Sequence, residues 1–224
     1  MDPTEQPQDM DQARQLMVDC QIRTWDVLDP RVLEVLSTMP RERFVPERYR
    51  ALAFCEASIP LAQNQIMLPP KLDGRILQAA AVQPGETVLD VGTGSGYLAA
   101  CLAELGGQVL SVDYHEQFCH QASETWKDLG LANLEARQQD ASRLDWTDES
   151  YDVITVTGAM PQLHDSFRER LKLGGRLIAI LGRSPAMEAV LYTRMDEDDW
   201  ARDSLFETDV PTLVNAWDPV SFTL

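Results

Sequence analysis

The sequence predicts an α/β fold built on a doubly wound, mostly parallel sheet, and three observations carry that expectation. From residue 87 onward, short apolar runs alternate with segments of helical periodicity. The runs are almost continuously apolar, as strands buried on both faces are. The first of them, Thr87–Val91, passes through the glycine-rich turn Gly92-Thr-Gly-Ser-Gly96 straight into a helical segment.

Element by element, the chain opens with MDPTEQPQDM, acidic and rich in proline and glutamine, which reads as a loose tail over 1–10. The pattern turns helical at Asp11, with Met17, Cys20 and Ile22 on an apolar face. A second short helix is predicted over 31–36 behind Asp29-Pro30, and Arg41-Glu-Arg-Phe-Val-Pro46 leads into a third. Residues 57–70 hold three prolines and three consecutive amide side chains and read as an extended loop. A helix opens at Pro69-Pro70, where proline suits the first turn, and runs to Val82. Beyond the turn at 83–86, strands are predicted at 87–91, 109–112, 134–140, 152–156, 176–181, 189–193 and 205–210, which makes seven. Helices at 96–105 and 115–129 stop at Gly106-Gly107 and Gly130, and an acidic loop at 196–199 separates the last two strands. The expected organisation is one Rossmann-like domain over 11–224. A small helical and loop cap (11–70) precedes a ligand-binding core (71–224), and there is neither an internal repeat nor a second domain.

The charge balance is unusual: 19 Lys and Arg stand against 36 Asp and Glu, a formal net charge of −17. Such a field repels phosphate backbones and anionic membrane surfaces, so neither nucleic acid nor a membrane is expected as a partner. Cys20, Cys55, Cys101 and Cys119 are scattered without ligand spacing, and His115, His120 and His164 show none either, so no metal is expected. The sequence has no signal-peptide pattern and no apolar run near twenty residues. A reduced, cytoplasmic, monomeric protein is the expectation.

The glycine turn narrows the ligand. Dinucleotide folds use G-x-G-x-x-G, in which the helix N-terminus faces a pyrophosphate. Here Gly92, Gly94 and Gly96 run G-x-G-x-G, with Thr93 inside the turn, and Tyr97 falls where the dinucleotide motif needs its third glycine. Asp90 stands two residues before Gly92, and a carboxylate there suits an ammonium group and opposes a pyrophosphate. Asp113, ending the second strand beside Tyr114, is placed to accept both ribose hydroxyls. Asp140, ending the third, is expected to accept an adenine amino group, with Ala141 offering its backbone N–H. Any one of these acids also suits a strand end or a helix cap. Together with the turn they point to S-adenosylmethionine, which carries an ammonium, a sulfonium and no phosphate, with S-adenosylhomocysteine as its product.

The fourth strand ends in Thr157-Gly-Ala-Met-Pro161, with neither the Asn/Asp-Pro-Pro-aromatic signature of nitrogen methylation nor a Pro-Cys nucleophile. From about Met17 to Val214 the chain resembles the protein-L-isoaspartate O-methyltransferases. The resemblance rests on Pro40-Arg-Glu-Arg-Phe-Val-Pro46, Ile59-Pro-Leu-Ala-Gln-Asn-Gln65, Val88-Leu-Asp-Val-Gly-Thr-Gly-Ser-Gly-Tyr97, Tyr151-Asp-Val-Ile-Thr-Val-Thr-Gly-Ala159, Leu173-Gly-Gly-Arg-Leu177 and Val210-Pro-Thr-Leu-Val214. It implies a methyltransferase that esterifies the carboxylate of an isoaspartyl residue in a damaged protein or peptide. The carboxylate is ionised at neutral pH, so alignment rather than a general base drives such chemistry.

One departure stands out. The family's loop carries a serine where this chain reads Gln65-Ile-Met-Leu68, so Leu68 occupies the serine position. No catalytic residue is therefore assigned, and Gln65 and Ser58 are the weak candidates on the acceptor loop. Two expectations follow: a carboxyl methyltransferase, on an isoaspartyl or another carboxylate, or a cofactor-binding protein that has lost isoaspartyl repair and serves a regulatory role or a different acceptor. Arg41 and Arg43 are read as surface or docking residues, His115 and His120 as exposed on a helix, and Trp217 as a packing residue.

Overall fold

The computed structural model describes residues 7–144 and 147–218. Helix α1 (Pro7–Met17) begins with a proline, a residue suited to the first helical turn, and continues through a π turn at Val18–Ile22. The helix therefore starts before the Asp11 expected from periodicity, which shortens the expected tail; residues 1–6 of that tail lie outside the described residues. Helix α2 (Pro30–Thr38) is capped by Asp29, whose carboxylate accepts from the backbone N–H of Arg31 at 2.8 Å. Its Val32, Leu33, Val35 and Leu36 are buried, the spacing of one helical face.

The proline-rich loop folds back as a miniature hairpin, β1 (Ile59–Pro60) against β2 (Ile66–Met67). Gln63 and Asn64 at its tip both have φ of 56°, and Leu61 N–H donates to the Gln65 carbonyl at 2.8 Å. The amide run thus marks a tight left-handed turn rather than an open loop. Helix α3 (Pro70–Ala80) follows the hairpin and enters the core.

The sheet strands are β3 (Thr87–Val91), β4 (Gln108–Asp113), β5 (Leu134–Gln138), β6 (Tyr151–Met160), β7 (Leu171–Arg183), β8 (Ala186–Asp196) and β9 (Asp199–Thr208). They lie in the order β5-β4-β3-β6-β7-β8-β9. Strands β3 to β7 are parallel, while β8 and β9 add antiparallel to the edge. The seven-stranded, mostly parallel sheet is as expected. Several limits move: β6 and β7 are longer, β5 stops at Gln138 short of Asp140, and β9 covers 199–208 rather than 205–210.

Helices α4 (Tyr97–Glu104) and α5 (Glu116–Asp128) join α3 and the cap on one face. The other face is thinner, closed by Phe167 of α6 (Asp165–Glu169) with Ala141 and Leu144. The chain runs from β3 outward to β4 and β5, then returns across β3 to place β6 on its other side. That reversal opens a crevice at the carboxyl ends of β3 and β6, where open α/β sheets bind ligands. No described helix is long and apolar enough to cross a membrane.

Candidate functional site

A narrow cleft, partly open to solvent, lies at that reversal. Two halves make it. The turn after β3 (Gly92, Gly94), the end of β4 (Asp113, Tyr114, His115) and the segment after β5 (Gln139, Ala141) form one wall. The hairpin residues Gln65, Ile66 and Leu68, the end of β6 (Thr157, Gly158) and the C-terminal segment from Val210 to Val214 form the other.

The glycine turn is built to keep this space open. Gly92 has φ of 102°, and a Cβ there would lie 2.7 Å from Thr157 Oγ1. Gly96, with φ of 81°, begins α4 and packs so closely that a Cβ would meet Ala122 at 2.7 Å. Trp126 Nε1 donates to the Gly96 carbonyl at 2.9 Å, fixing the turn to α5. Gly96 therefore shapes the turn without lining the cleft.

Asp113 is the anchor of the first wall. One carboxylate oxygen accepts from Gly94 N–H at 3.0 Å and the other from His115 N–H at 2.9 Å. Burial pushes this acid above the usual carboxylate range in spite of both donors. A mostly buried carboxylate with free lone pairs facing a cleft favours further donors, such as paired hydroxyls.

Asp90 lies beneath the floor, 1% exposed. It accepts from Ser111 Oγ at 2.7 Å and from Thr155 Oγ1 at 2.8 Å, joining β3 to both neighbouring strands. Thr93 Oγ1 extends the chain to Ser111 Oγ at 2.7 Å, so it too supports the floor from below. Burial pushes Asp90 up to about 6 against the pull of the two hydroxyls.

Asp140 is exposed beyond β5. It accepts from Ser142 N–H at 3.0 Å and from Asn215 Nδ2 at 2.7 Å, while Ala141 next to it does line the cleft. Slight burial works upward on this acid, but the Asn215 and Ser142 hydrogen bonds hold it below the ordinary range. The C-terminal segment that Asn215 belongs to crosses the mouth of the cleft. It is held by paired backbone bonds, Ala159 N–H to the Pro211 carbonyl and Leu213 N–H to the Ala159 carbonyl.

On the second wall, Leu68 lines the cleft at 8% exposure. Its carbonyl accepts from Arg41, a fully buried guanidinium that also pairs with Asp73 at 2.6 Å and donates to the Ala53 carbonyl. Arg41 lies 4.6 Å from the centre of the Tyr97 ring. It is thus a docking residue between cap and core, as expected, and it fixes the backbone at Leu68. Burial raises Asp73 to about 6 even beside Arg41.

Gln65 lines the cleft, whereas Ser58 does not. Ser58 lines a neighbouring hollow with Trp25, Lys71 and Asp209. His115 is corrected as well: it is partly buried and lines the cleft, because it directly follows the β4 end that delivers Asp113. His120 is exposed, and Trp217 packs edge-on against His164, both as expected. Sequence reasoning did not single out Thr157, Gly158 and the Val210–Val214 segment as site residues, although their places toward the end of β6 and after β9 mark where the sheet opens. No cluster of metal-ligating side chains occurs among the described residues.

Comparison with known proteins agrees with this geometry. Residues 12–215 match the family model of protein-L-isoaspartate(D-aspartate) O-methyltransferase. The chain is 35% identical over 201 residues to a protein-L-isoaspartate O-methyltransferase of Rhodopseudomonas palustris, covering 89% of this chain and 92% of that one. It is 31% identical over 205 residues to the Herpetosiphon aurantiacus protein of the same name, covering 92% and 91%. In fold it is similar to the crystal structure of a putative protein-L-isoaspartate O-methyltransferase from Plasmodium falciparum in complex with S-adenosyl-L-homocysteine. There the TM-score is 0.78, at 16% identity, over 89% of this chain and 97% of that one. With matches that run from α1 to the segment over the cleft, the chain belongs to the protein-L-isoaspartate(D-aspartate) O-methyltransferase family.

Proposed function

We propose that this protein is an S-adenosylmethionine-dependent carboxyl O-methyltransferase, acting on an isoaspartyl or related carboxylate of a protein or peptide. The observation that carries the reading is a cleft at the carboxyl ends of the strands, lined by Gly92, Gly94 and Asp113, in a chain that matches the family from residue 12 to 215. The donor set fits the cofactor: Gly92 leaves room that a Cβ would fill, and Asp113 offers a buried carboxylate to paired hydroxyls. Among the described residues no lysine or arginine lines the cleft, consistent with a ligand that carries cationic groups and no phosphate.

When bound, S-adenosylmethionine supplies an electrophilic methyl group on a sulfonium, which an ionised carboxylate accepts with no proton transferred. Asp113 holds the ribose, Tyr114 and Ala141 bound the adenine side, and Gly92 and Gly94 bring backbone close to the ligand. Asp90 contributes negative charge from beneath the floor to the ammonium end. Asp140 serves the adenine amino group only to the extent that Asn215 leaves an oxygen free. The hairpin and the Val210–Val214 segment exclude water, which makes alignment of the carboxylate the main catalytic effect.

A second reading, cofactor binding without isoaspartyl repair, is favoured by Leu68. An isobutyl group beside the acceptor supplies no donor and dehydrates the anion. Incubation with radiolabelled donor and an isoaspartyl peptide separates the two readings. Base-labile methyl ester above a blank supports the first. Micromolar donor binding with no label on the peptide, on other carboxylates or on cell-extract proteins supports the second.

A further inference from the structure

We infer that the hydroxyl of Thr157 binds the acceptor carboxylate, taking over the part that a side-chain hydroxyl at position 68 would play. The inference rests on the carboxyl-methylation reading and names the residue that makes it workable in this chain.

Three observations lead to it. The first is an inventory of the acceptor wall. Among Gln65, Ile66, Leu68, Thr157, Gly158 and the Val210–Val214 segment, the polar side chains that line the cleft are Gln65 and Thr157 alone. Gln65 is on the hairpin and turns its amide toward its own loop, Nε2 lying 3.4 Å from the Gln63 carbonyl. Among the described residues, Thr157 is the one hydroxyl lining that wall, since Thr212 of the C-terminal segment does not line the cleft.

The second is backbone geometry. Val156 pairs with Ala179 and Ala159 with Ile180, so Thr157 and Gly158 are extra residues with no partner on β7. Such a bulge bends the strand and re-aims a side chain, and bulges recur beside active sites for that reason. Here it falls where β6 reaches the cleft, opposite the glycine turn. Gly92 lacks a Cβ at the one point where a Cβ would strike Thr157 Oγ1, at 2.7 Å. The hydroxyl therefore sits directly over the glycine that the cofactor turn depends on, at the junction of the two walls.

The third is that this hydroxyl is poorly used by the protein. Its contacts are the carbonyls of Val91 and Gly92, both at 3.3 Å. Hydroxyl donors prefer about 2.5–3.0 Å, and one hydrogen shared between two distant acceptors bonds weakly to each. A carboxylate is the stronger acceptor, with O–H···O⁻ contacts of about 2.5–2.7 Å. The proton is thus free to turn to an arriving anion while half-buried surroundings keep water away.

The test uses Thr157→Val, which removes the hydroxyl and keeps the shape, and Thr157→Ser, which keeps the hydroxyl. Ester formation on an isoaspartyl peptide and calorimetric binding of that peptide to protein saturated with S-adenosylhomocysteine are both read. Thr157→Val should lose roughly ten- to a hundredfold in kcat/KM and in peptide affinity, with S-adenosylhomocysteine affinity within about twofold of wild type. Thr157→Ser should retain most of both. In a Leu68→Ser background the loss on Thr157→Val should shrink, because two hydroxyls serving one anion do not add. Ester formed equally well by wild type and Thr157→Val overturns the inference alone, as does a loss that falls on S-adenosylhomocysteine binding instead. A wild type that neither binds nor esterifies any carboxylate overturns the methylation reading, and the inference with it.

Discussion

The two walls of the cleft differ in what holds their chemistry. On the proposed cofactor wall the lining comes from strand ends and turns: Gly92, Gly94 and Ala141 line it, and Asp113 is locked by the N–H of Gly94 in the glycine turn and that of His115 after β4. On the acceptor wall the contacts are side chains on a two-residue hairpin and on a loop crossing from β9, with aliphatic groups at Ile66, Leu68, Val210, Leu213 and Val214. A wall made by the sheet cannot change without the fold changing. A wall made by side chains on connections is free to vary, and connections of this kind are where function diverges on a fixed scaffold. Leu68 sits on the variable wall, while Arg41 holds its carbonyl in place.

The largest test of that contrast is Asp113→Ala. It deletes the acceptor proposed for two ligand hydroxyls and leaves Gly94 and His115 N–H groups without their partner. With roughly 1.5–3 kcal/mol for each hydrogen bond to a charged group, S-adenosylhomocysteine affinity should fall by about a hundredfold or more, measured by calorimetry. A loss below about tenfold would show that the sheet-built wall is not what holds the cofactor. Leu68→Ser is the complementary change on the other wall. Ester formation on an isoaspartyl peptide should rise by less than about tenfold, because Thr157 already supplies a hydroxyl, while cofactor affinity stays put. Unchanged ester formation would mean that the acceptor half is not limited at this position.

The same contrast explains what could be read from sequence. Alternating apolar runs, the G-x-G-x-G turn and strand-end acids gave the sheet and most of the cofactor wall, because period, glycine and Asp placement are local signals. Asp90 and Thr93 were legible as part of the motif, but not as groups beneath the floor. That distinction depends on Ser111 and Thr155, whose register beside Asp90 is fixed only once β4 and β6 flank β3. Ser58 and His115 went the other way. Ser58 shares a loop with Leu68, yet it lines a neighbouring hollow instead of the cleft, and His115 follows a strand end that delivers it to the cleft. Thr157 depended on a bulge, which no periodicity announces.

Asp90 provides a smaller test, through pH. Burial raises it to about 6 in the folded state, from an ordinary value near 3.8. The folded state therefore holds the proton more tightly than the unfolded chain. Its contribution to stability is fully present below about pH 4 and is lost as pH rises through about 6, at roughly 1 kcal/mol per pH unit. Asp90→Asn cannot lose a proton, so its stability relative to wild type should improve between pH 4 and pH 7 in chemical denaturation. A difference that is flat across that window would mean that Asp90 stays charged throughout, its two hydroxyl partners outweighing burial.

The smallest expected effect tests rank within the cofactor wall itself. Asp140 and Asp113 both follow a strand and both look, in sequence, like ligand acids, but the fold treats them differently. Asp113 is buried with its partners drawn from the turn it shapes, whereas Asp140 is exposed and already accepts from Asn215 and Ser142. An exposed acid with satisfied partners has little left to give a ligand, and solvent screens its charge. Asp140→Asn should therefore change S-adenosylhomocysteine affinity by less than about threefold. A loss approaching that of Asp113→Ala would mean that Asn215 releases Asp140 when the cofactor binds. In that case the C-terminal segment over the cleft would be a moving part of the site rather than a fixed wall.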